Sequence, residues 1–275
     1  MCKIKCHMRC LLASGLLLLW ATHHARAGTI TNGGFEAGGG SLAGWTATAS
    51  GYSAWYVQSG NVAPVNAFTV PLPPEGTYAA MTDGGGPGAA ALLQSFTVPG
   101  DALDVTLSFD YYVLNPESAI GTYAIPSPDS LDWTSVAVQE ARVDLLTQAA
   151  APFDVTPVGS GGGLVANLFE TQPGDSNGTE DNPFYLSFSA DITADVVPGG
   201  AYQLQFAEAN NLGSLVFGID DVQLTVSESR DGDPPPVPEP GTVLLAATGL
   251  LILAAWKRSR LPRTEPRTGI SDVTT

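Results

Sequence analysis

Apolar and polar residues alternate along much of the middle of the chain. The alternation is clearest at residues 105–113, and it recurs at residues 184–192 and 202–206. Because successive side chains of a β-strand point to opposite faces of a sheet, each run predicts a strand with one face on a hydrophobic core. Further strands are predicted at residues 77–81, 92–98, 136–146 and 215–226, with one more near Thr29 or Trp55.

Clusters of Gly, Pro, Asn and Asp separate these runs, as at residues 98–101 and 197–200. Such clusters are typical of turns between short strands. About eight strands in roughly 200 residues are compatible with one undivided domain. The pattern therefore predicts an all-β fold, a jelly-roll β-sandwich at residues 28–229.

The last predicted strand contains a break in its alternation. The apolar residues from Leu215 to Ile219 share one phase, whereas those from Val222 to Val226 take the other. A β-bulge at Asp220-Asp221 would bury both sets and turn one carboxylate outward.

The N-terminal segment has the pattern of a signal peptide. Three cations precede an apolar run at residues 11–21, and Ala25 and Ala27 place small residues where a signal peptidase reads them. The run is too short to span a membrane as a mature helix. We expect signal peptidase to remove residues 1–27 by cutting after Ala27.

A second apolar run, at residues 241–256, lies near the C-terminus. It follows the triplet Pro238-Glu239-Pro240, and it precedes the cations Lys257, Arg258 and Arg260. Sixteen helical residues at roughly 1.5 Å each extend about 24 Å, less than the roughly 30 Å hydrocarbon core that a permanent anchor matches. A marginal transmembrane helix suits a segment destined for removal, and the cations favour its cytoplasmic side. The alternative is an ordinary single-span anchor that is never cut.

The arrangement at residues 237–260 resembles the PEP-CTERM sorting domain of Gram-negative envelope and exopolysaccharide-associated proteins. The resemblance implies transient anchoring in the inner membrane and cleavage near Pro238, Glu239 and Pro240 by an exosortase-type transpeptidase. Residues 230–237 then form a Pro-rich linker. Residues 261–275 depart from the pattern, because they continue beyond the basic cluster, and we expect them to be a disordered cytoplasmic tail.

The region between the two signals has an unusual charge. All three cysteines and all three histidines lie in residues 1–27, and no lysine occurs between there and Lys257. Residues 28–237 carry two cations, Arg142 and Arg230, against 24 carboxylates, a net charge of −22. Such a surface repels nucleic acid and anionic lipid, which leaves divalent cations and neutral polymers as electrostatic partners. Arg142 is expected to form a buried or sheet-face ion pair.

This composition excludes most catalytic chemistry. Ser-His-Asp and Cys-His systems need an imidazole, zinc sites need N or S ligands, and Schiff bases need an amine. Two carboxylates acting in glycoside hydrolysis, or a Tyr and Arg pair in a lyase, remain as alternatives. Because carboxylates are abundant here, their presence alone does not indicate an enzyme, and we expect none.

The segments Asn32-Gly33-Gly34-Phe35-Glu36, Gly44-Trp45 and Ile219-Asp220-Asp221-Val222 together resemble the galactose-binding-like jelly rolls of carbohydrate-binding modules. The resemblance implies one structural calcium held by Glu36 with Asp220 or Asp221. The alternative is that these side chains cap turns and face solvent. Residues 175–182 are a second oxygen-rich segment, but they lack the spacing of an EF-hand loop and indicate a solvated insertion.

Sugar binding needs aromatic faces that solvent can reach. Trp55, Tyr56 and Trp133 lie in polar, loop-like surroundings and are the candidates for glycan contact. Aromatic residues of a sandwich more often belong to its core. We therefore expect an exported cell-surface or exopolysaccharide-matrix protein that acts in adhesion or weak glycan binding. The alternative is a secreted glycosidase or lyase that uses paired carboxylates.

Overall fold

The structure is a computed structural model that describes residues 25–27, 30–115, 130–172, 175–176, 178–179 and 181–228. All of them lie in the first of the two units into which the chain divides, which ends at Ser229. The apolar core of the predicted signal peptide, the linker, the sorting helix and the C-terminal tail lie outside the described residues. Within the described ranges, no helix has the length and apolar character needed to cross a bilayer.

The described residues form eleven strands and one short 3-10 helix, Val158–Ser160. The strands are β1 (Ala25–Ala27), β2 (Thr46–Ser59), β3 (Tyr78–Thr97), β4 (Ala102–Leu114), β5 (Gln139–Thr147), β6 (Leu164–Glu170), β7 (Gly178–Thr179), β8 (Asn182–Pro183), β9 (Leu186–Asp191), β10 (Ala201–Asn210) and β11 (Val216–Glu228). The predicted all-β class is confirmed.

Strands β2 and β3 form a long antiparallel hairpin that belongs to both layers of a sandwich. The C-terminal half of β3 pairs with β10, and β5 and β6 continue that layer. The N-terminal half of β3 pairs with β11, and β4 and β9 continue the other layer. The two layers face each other, since Phe206 of β10 lies 5.1 Å from Phe109 of β4 and 6.4 Å from Phe217 of β11, centroid to centroid.

The hairpin changes layer at an irregular bend. Gly51 pairs with Gly88 and Ser53 pairs with Gly84, so Tyr52 alone stands opposite the three residues Gly85-Gly86-Pro87. A Cβ atom on Gly88 would lie 2.5 Å from the Ser53 nitrogen, and one on Gly84 would lie 2.5 Å from the Tyr52 oxygen. Glycine is therefore required where the two backbones approach most closely.

Three hydrophobic clusters stabilise the sandwich. The largest lies between the layers and includes Phe96, Phe109, Phe206 and Phe217. A second lies on the outer face of the β3–β10–β5 layer, where loop residues such as Leu131 cover the small side chains of these strands. A third lies on the outer face of the other layer, beneath residues 63–70. Burial of the two outer faces depends on loops, and these loops shape the surface described below.

The predicted bulge in the last strand is confirmed. The register of β11 against β4 shifts between Asp220 and Gln223, and Asp221 has a φ of +46°. Asp220 is buried and Asp221 is partly exposed, so the bulge turns one carboxylate outward as expected. The Val222 amide donates to the Gly33 carbonyl oxygen at 3.1 Å, which joins the opening loop to the bulge.

Several elements differ from the sequence-based expectations. The predicted strands at residues 77–81 and 92–98 are the two ends of the single strand β3. Strand β6 was not predicted, because its sequence LVANLFE is half-buried along most of its length and lacks alternation. Ala25–Ala27 forms a strand that pairs antiparallel with residues 225–227 of β11. Cleavage after Ala27, which stays a prediction, would remove that strand.

Candidate functional site

A cleft beside Trp133 lies on the outer face of the β3–β10–β5 layer. Its volume is about 270 Å³, and it is lined by Ser50, Ala89, Leu131, Asp132, Trp133, Thr134 and Phe153. Ala89 is one of four alanines in the second hydrophobic cluster, so small side chains leave a depression between the two aromatic rings. The cleft thus combines apolar walls with a hydroxyl- and carboxylate-bearing rim.

Hydrogen bonds hold Trp133 in place from two sides. The Asn211 side chain donates to the carbonyl oxygens of Trp133 and Val136 at 2.7 and 2.6 Å, and it accepts the Val138 amide at 2.9 Å. The indole N–H of Trp133 donates to Ser50 Oγ at 3.2 Å. Trp133 is therefore fixed before any ligand arrives, which lowers the entropic cost of binding.

Asp132 supplies a permanent negative charge at the rim. Its carboxylate accepts the Ser135 hydroxyl, the Thr134 hydroxyl at 2.6 Å and the Thr134 amide at 2.9 Å. These hydrogen bonds, that of Ser135 foremost, lower the pKa of Asp132 to about 2. The carboxylate is therefore an acceptor, and not a proton donor, across the physiological range.

Phe153 forms the second aromatic wall of the cleft. Its backbone has a φ of +65°, a left-handed conformation that is uncommon for a bulky residue. The amide of Phe153 donates to Gln205 Oε1 at 2.8 Å, which ties this conformation to strand β10. Neither Phe153 nor Asn211 was singled out from the sequence, because their roles depend on contacts with strands far away in the chain.

The three aromatic residues predicted to contact glycan have different surroundings. The structure corrects the prediction for Trp55, which is only 6% exposed and lies edge-on to Phe217 in the core at 5.7 Å. Its ring face is therefore closed to a sugar. Tyr56 is half-buried and lines neither this cleft nor the cavity described below. Trp133 alone of the three borders a cleft, and glycan contact there remains to be tested.

The predicted calcium ligands are occupied by hydrogen bonds within the protein. Glu36 Oε1 accepts the amides of Thr77 and Tyr78 at 2.6 and 2.7 Å. The buried Asp220 accepts the Glu75 amide at 3.1 Å and the Asp221 amide at 2.8 Å. Burial raises the pKa of Asp220 to about 7, and the neighbouring Glu75 and Asp221 carboxylates add to the rise.

Two carboxylates converge on Gly34, at the opening loop. A Cβ atom there would lie 2.3 Å from Glu75 Oε2 and 3.9 Å from Asp220 Oδ1. Oxygen donors of this kind suit calcium, and glycine keeps the space between them free. In the part of the chain that the structure describes, no three His, Cys, Asp or Glu side chains are grouped as a metal site. The pair that could share a cation at Gly34 is therefore Glu75 with Asp220, and not Glu36 with Asp220 or Asp221.

A buried ion network lies on the outer face of β5. Arg142 donates through Nε and Nη2 to both oxygens of Asp144 at 2.8 Å, and through Nη1 to Glu140 at 3.1 Å. The expected ion pair of Arg142 is thus confirmed. Burial, partly offset by the Arg142 charge, raises the pKa of Glu140 to about 8. None of the three residues lines the Trp133 cleft.

A second acid with a raised pKa lies between the two layers. Glu208 of β10 is fully buried, and Asn210 Nδ2 donates to its Oε2 at 3.2 Å and to Ser53 Oγ at 3.0 Å. Burial raises the pKa of Glu208 to about 8, so the carboxyl is mostly protonated at neutral pH. Its role is therefore internal to the sandwich.

Residues 236–259 match the PEP-CTERM protein-sorting motif. The match confirms the resemblance found at residues 237–260. The motif indicates an exported protein of the cell envelope that is processed by an exosortase. No curated protein matches the chain.

Solved structures similar to the chain include both enzymes and binding modules. The Stig cyclase Fisc from Fischerella sp. TAU is 14% identical, with a TM-score of 0.43 over 75% of this chain and 100% of the cyclase. The module TmCBM61, solved with β-1,4-galactotriose, is 16% identical, with a TM-score of 0.41 over 72% of this chain and 97% of the module. A carbohydrate-binding module of the β-sandwich superfamily is 13% identical, with a TM-score of 0.37 over 70% and 61%. What this domain binds therefore has to be inferred from its own residues.

Proposed function

We propose that the protein is an exported envelope or exopolysaccharide-matrix protein whose sandwich domain binds a neutral polysaccharide at the Trp133 cleft. The observation that carries this proposal is a partly exposed indole, fixed by Asn211 and Ser50, beside a second aromatic ring. Apolar C–H faces of a sugar ring pack on aromatic rings, and hydroxyls bond to polar groups at the rim. Asp132, with its lowered pKa, is suited to accept such hydroxyls.

The charge of the domain favours a neutral ligand. Residues 28–237 carry a net charge of −22, which repels polyanionic polysaccharide as it repels nucleic acid. Attachment of an acidic domain to a neutral polymer depends on stacking and hydrogen bonds, which salt screens little. Binding should therefore persist at high ionic strength.

The binding proposal is tested by replacing Trp133 with alanine. Affinity electrophoresis of the exported protein in gels that contain galactan, xylan, mannan, β-glucan or dextran gives the retardation by each neutral polysaccharide. We expect Trp133→Ala to weaken binding by about tenfold or more, since the loss of a pre-positioned aromatic platform costs on the order of 1.4 kcal/mol or more.

Phe184→Ala is the matched control, because Phe184 is an aromatic residue that is 44% exposed and lines neither the Trp133 cleft nor the cavity at the bend of the β2–β3 hairpin. It should bind as the wild type does. Equal retardation of Trp133→Ala and wild type, or no retardation of wild type by any polysaccharide, would contradict the proposal.

Processing by signal peptidase and exosortase is tested by intact mass and terminal-peptide mass spectrometry of the protein from its native host. We expect the mature chain to begin at Gly28 and to end near Pro238–Pro240, with transient anchoring in the inner membrane before cleavage. A mature protein that retains Thr275 would show that residues 241–256 are a permanent anchor instead.

Catalysis by paired carboxylates is the second candidate, and Glu140 is the residue that favours it. A pKa of about 8 suits a general acid at neutral pH. Against it, Glu140 and Asp144 are fully buried and held by Arg142. Assay of the same polysaccharides for released reducing or unsaturated sugars separates the two functions. Release that is lost in Glu140→Gln would favour the enzyme.

A further inference from the structure

A second cavity lies at the bend of the β2–β3 hairpin. Its volume is about 230 Å³, and it is lined by Asn66, Gly84, Gly85, Gly86, Pro87, Gly213 and Ser214. This space holds several water molecules, and its volume is comparable with that of the Trp133 cleft. Its walls carry backbone groups, one amide and one hydroxyl, and no charge.

The backbone at the bend is available to a ligand. Gly85, Gly86 and Pro87 have no partner in the register of β2 with β3, nor in the registers of β3 with β10 and β11 over the described residues. Asn66 is fixed beside them, because its Nδ2 donates to Asp83 Oδ1 and to the Gly84 oxygen at 2.7 Å. Donors and acceptors are thus held in place around a space that is open to solvent.

Gly85 is not required by the fold. A Cβ atom there would meet no atom within 4 Å, and its φ is not in the left-handed region. This contrasts with Gly84 and Gly88, where a Cβ atom would collide with β2. A side chain at residue 85 would instead enter the solvent-facing space at the bend, which is the situation expected where a ligand approaches the backbone closely.

Tyr52 supplies an aromatic face at the same place. It is 71% exposed, and a Cβ atom on Gly86 would lie 3.3 Å from its Cδ2. Tyr52 is not itself a lining residue of the cavity, but its ring lies beside Gly86, which is one. The bend forces this exposure, because Tyr52 alone stands opposite three residues of β3.

The two cavities are adjacent. A Cβ atom on Gly51 would lie 3.0 Å from Trp133 Cζ2, in the wall of the cleft, and 2.5 Å from the Pro87 oxygen, in the wall of the cavity at the bend. One residue of β2 therefore separates the two walls. A ligand of linked rings can span this distance, whereas a single ring cannot occupy both.

We propose that the cavity at the bend is a second sugar subsite, and that the ligand is a neutral glycan chain with one residue on Trp133 and a following residue on Tyr52. The inference rests on the proposed function, since it extends the Trp133 site. It assigns Tyr52 as the second stacking platform, and it assigns the Gly85-Gly86 backbone and Asn66 as the polar partners of the second residue.

The test is calorimetric titration of the exported protein with oligosaccharides of one to four residues, prepared from the polysaccharide that retards the wild type. We expect affinity to rise about tenfold or more between the mono- and the trisaccharide. Tyr52→Ala and Gly85→Val should each reduce trisaccharide affinity about tenfold and leave monosaccharide affinity unchanged. Gly100→Val is the matched control, because Gly100 has an ordinary φ and open space around it.

The outcomes separate this inference from the proposed function. If Trp133→Ala abolishes binding while Tyr52→Ala and Gly85→Val bind every oligosaccharide as the wild type does, the Trp133 site stands and the second subsite is wrong. An affinity that does not change with chain length would also show that the second subsite is wrong. If no glycan binds to the wild type, both the second subsite and the proposed binding function are wrong. Melting temperatures within a degree or so of wild type would show that the variants are folded.

Discussion

Arg142 is a fully buried cation whose charge is balanced by carboxylates on its own strand. Replacing it with methionine preserves much of its volume but leaves Asp144, and in part Glu140, buried without a counter-charge. We expect Arg142→Met to lower the free energy of unfolding by about 3–5 kcal/mol, the usual cost of removing one partner of a buried pair. Urea unfolding monitored by tryptophan fluorescence measures this change.

The control replaces the whole network with apolar residues. The triple variant Glu140→Leu, Arg142→Met and Asp144→Leu leaves no buried charge in the network, so it should be more stable than Arg142→Met alone. If the single variant is as stable as the wild type, the network does not hold this face of the sheet together.

Exposure of the aromatic residues illustrates what a sequence does and does not reveal about a site. Tyr52 and Trp55 belong to one short polar segment, yet they are 71% and 6% exposed. Since they are three positions apart in β2, their side chains point to opposite faces of the strand, and Trp55 shares the buried face with Ser53. The sequence of the segment does not show which face is buried, so Trp55 was chosen and Tyr52 was missed. Trp133 was found because its loop is polar on both sides in sequence.

Among the strands, those whose sequences alternate over part of their length were predictable. Apolar residues recur at every second position in parts of β4, β10 and β11, and the phase slip in β11 even predicted its bulge. Strand β5, which is buried on both faces, was also predicted. Strand β3 was predicted as two strands, because the segment Gly84-Gly85-Gly86-Pro87-Gly88 interrupts its alternation as a loop would. Its continuity depends on pairing with β2, which is a long-range contact that local sequence does not encode.

Calcium at the opening loop is a prediction that joins the loop to the β11 bulge. Glu75 and Asp220 converge near Gly34, and a cation between them would relieve their repulsion. Sites of extracellular modules bind calcium with dissociation constants of roughly 0.1–1 mM, so 10 mM calcium should add about 1.4–2.7 kcal/mol. We expect the melting temperature to exceed that in EDTA by several degrees.

The response should depend on the carboxylates and on the metal. Asp220→Asn should abolish the difference between calcium and EDTA, whereas Asp101→Asn, at an exposed turn, should retain it. An equal rise with magnesium would indicate general screening of charge. A melting temperature that is the same in calcium and EDTA would show that Glu75 and Asp220 do not hold calcium.

At the scale of the whole molecule, the domain is dominated by negative charge. Residues 28–237 carry a net charge of −22, so their carboxylates repel one another, and this repulsion grows as further carboxyls ionise. The same region contains two cations. Arg142 pairs with Glu140 and Asp144, and Arg230 lies beyond the described strands. Burial keeps three carboxyls, those of Glu140, Glu208 and Asp220, protonated to a higher pH than ordinary acids.

This arrangement predicts an unusual dependence of stability on pH. Glu140 and Glu208 have pKa values near 8 in the folded protein, against 4.5 for the ordinary group, and Asp220 has one of about 7, against 3.8. Between these values the folded state holds a proton that the unfolded state has lost, so stability falls as pH rises, by up to about 1.4 kcal/mol per pH unit for each group. The contribution of the two glutamates is complete below pH 4.5 and is lost as pH rises through 8, and that of Asp220 is complete below pH 3.8 and is lost as pH rises through 7.

Lowered pKa values act in the opposite direction at acidic pH. The hydroxyls of Ser135 and Thr193 lower the pKa of Asp132 and of Asp191, respectively, and that stabilisation disappears as pH falls below the ordinary value of 3.8. Stability should therefore be greatest between about pH 4 and pH 5, below the range usual for globular proteins. Urea unfolding from pH 4 to pH 9 in the presence of EDTA measures the profile.

Glu208→Gln and Asp101→Asn each remove one carboxyl, and above pH 5 they change the net charge of the unfolded chain equally. If the profile arises from buried acids, Glu208→Gln should flatten the fall between pH 5 and pH 8 by about a third, since one of the three groups no longer titrates. Asp101→Asn should shift the curve only slightly, because its carboxyl is at the surface. Equal effects of the two substitutions would assign the profile to net charge alone. A wild-type stability that rises from pH 5 to pH 8 would show that Glu140 and Glu208 are ionised in the folded domain.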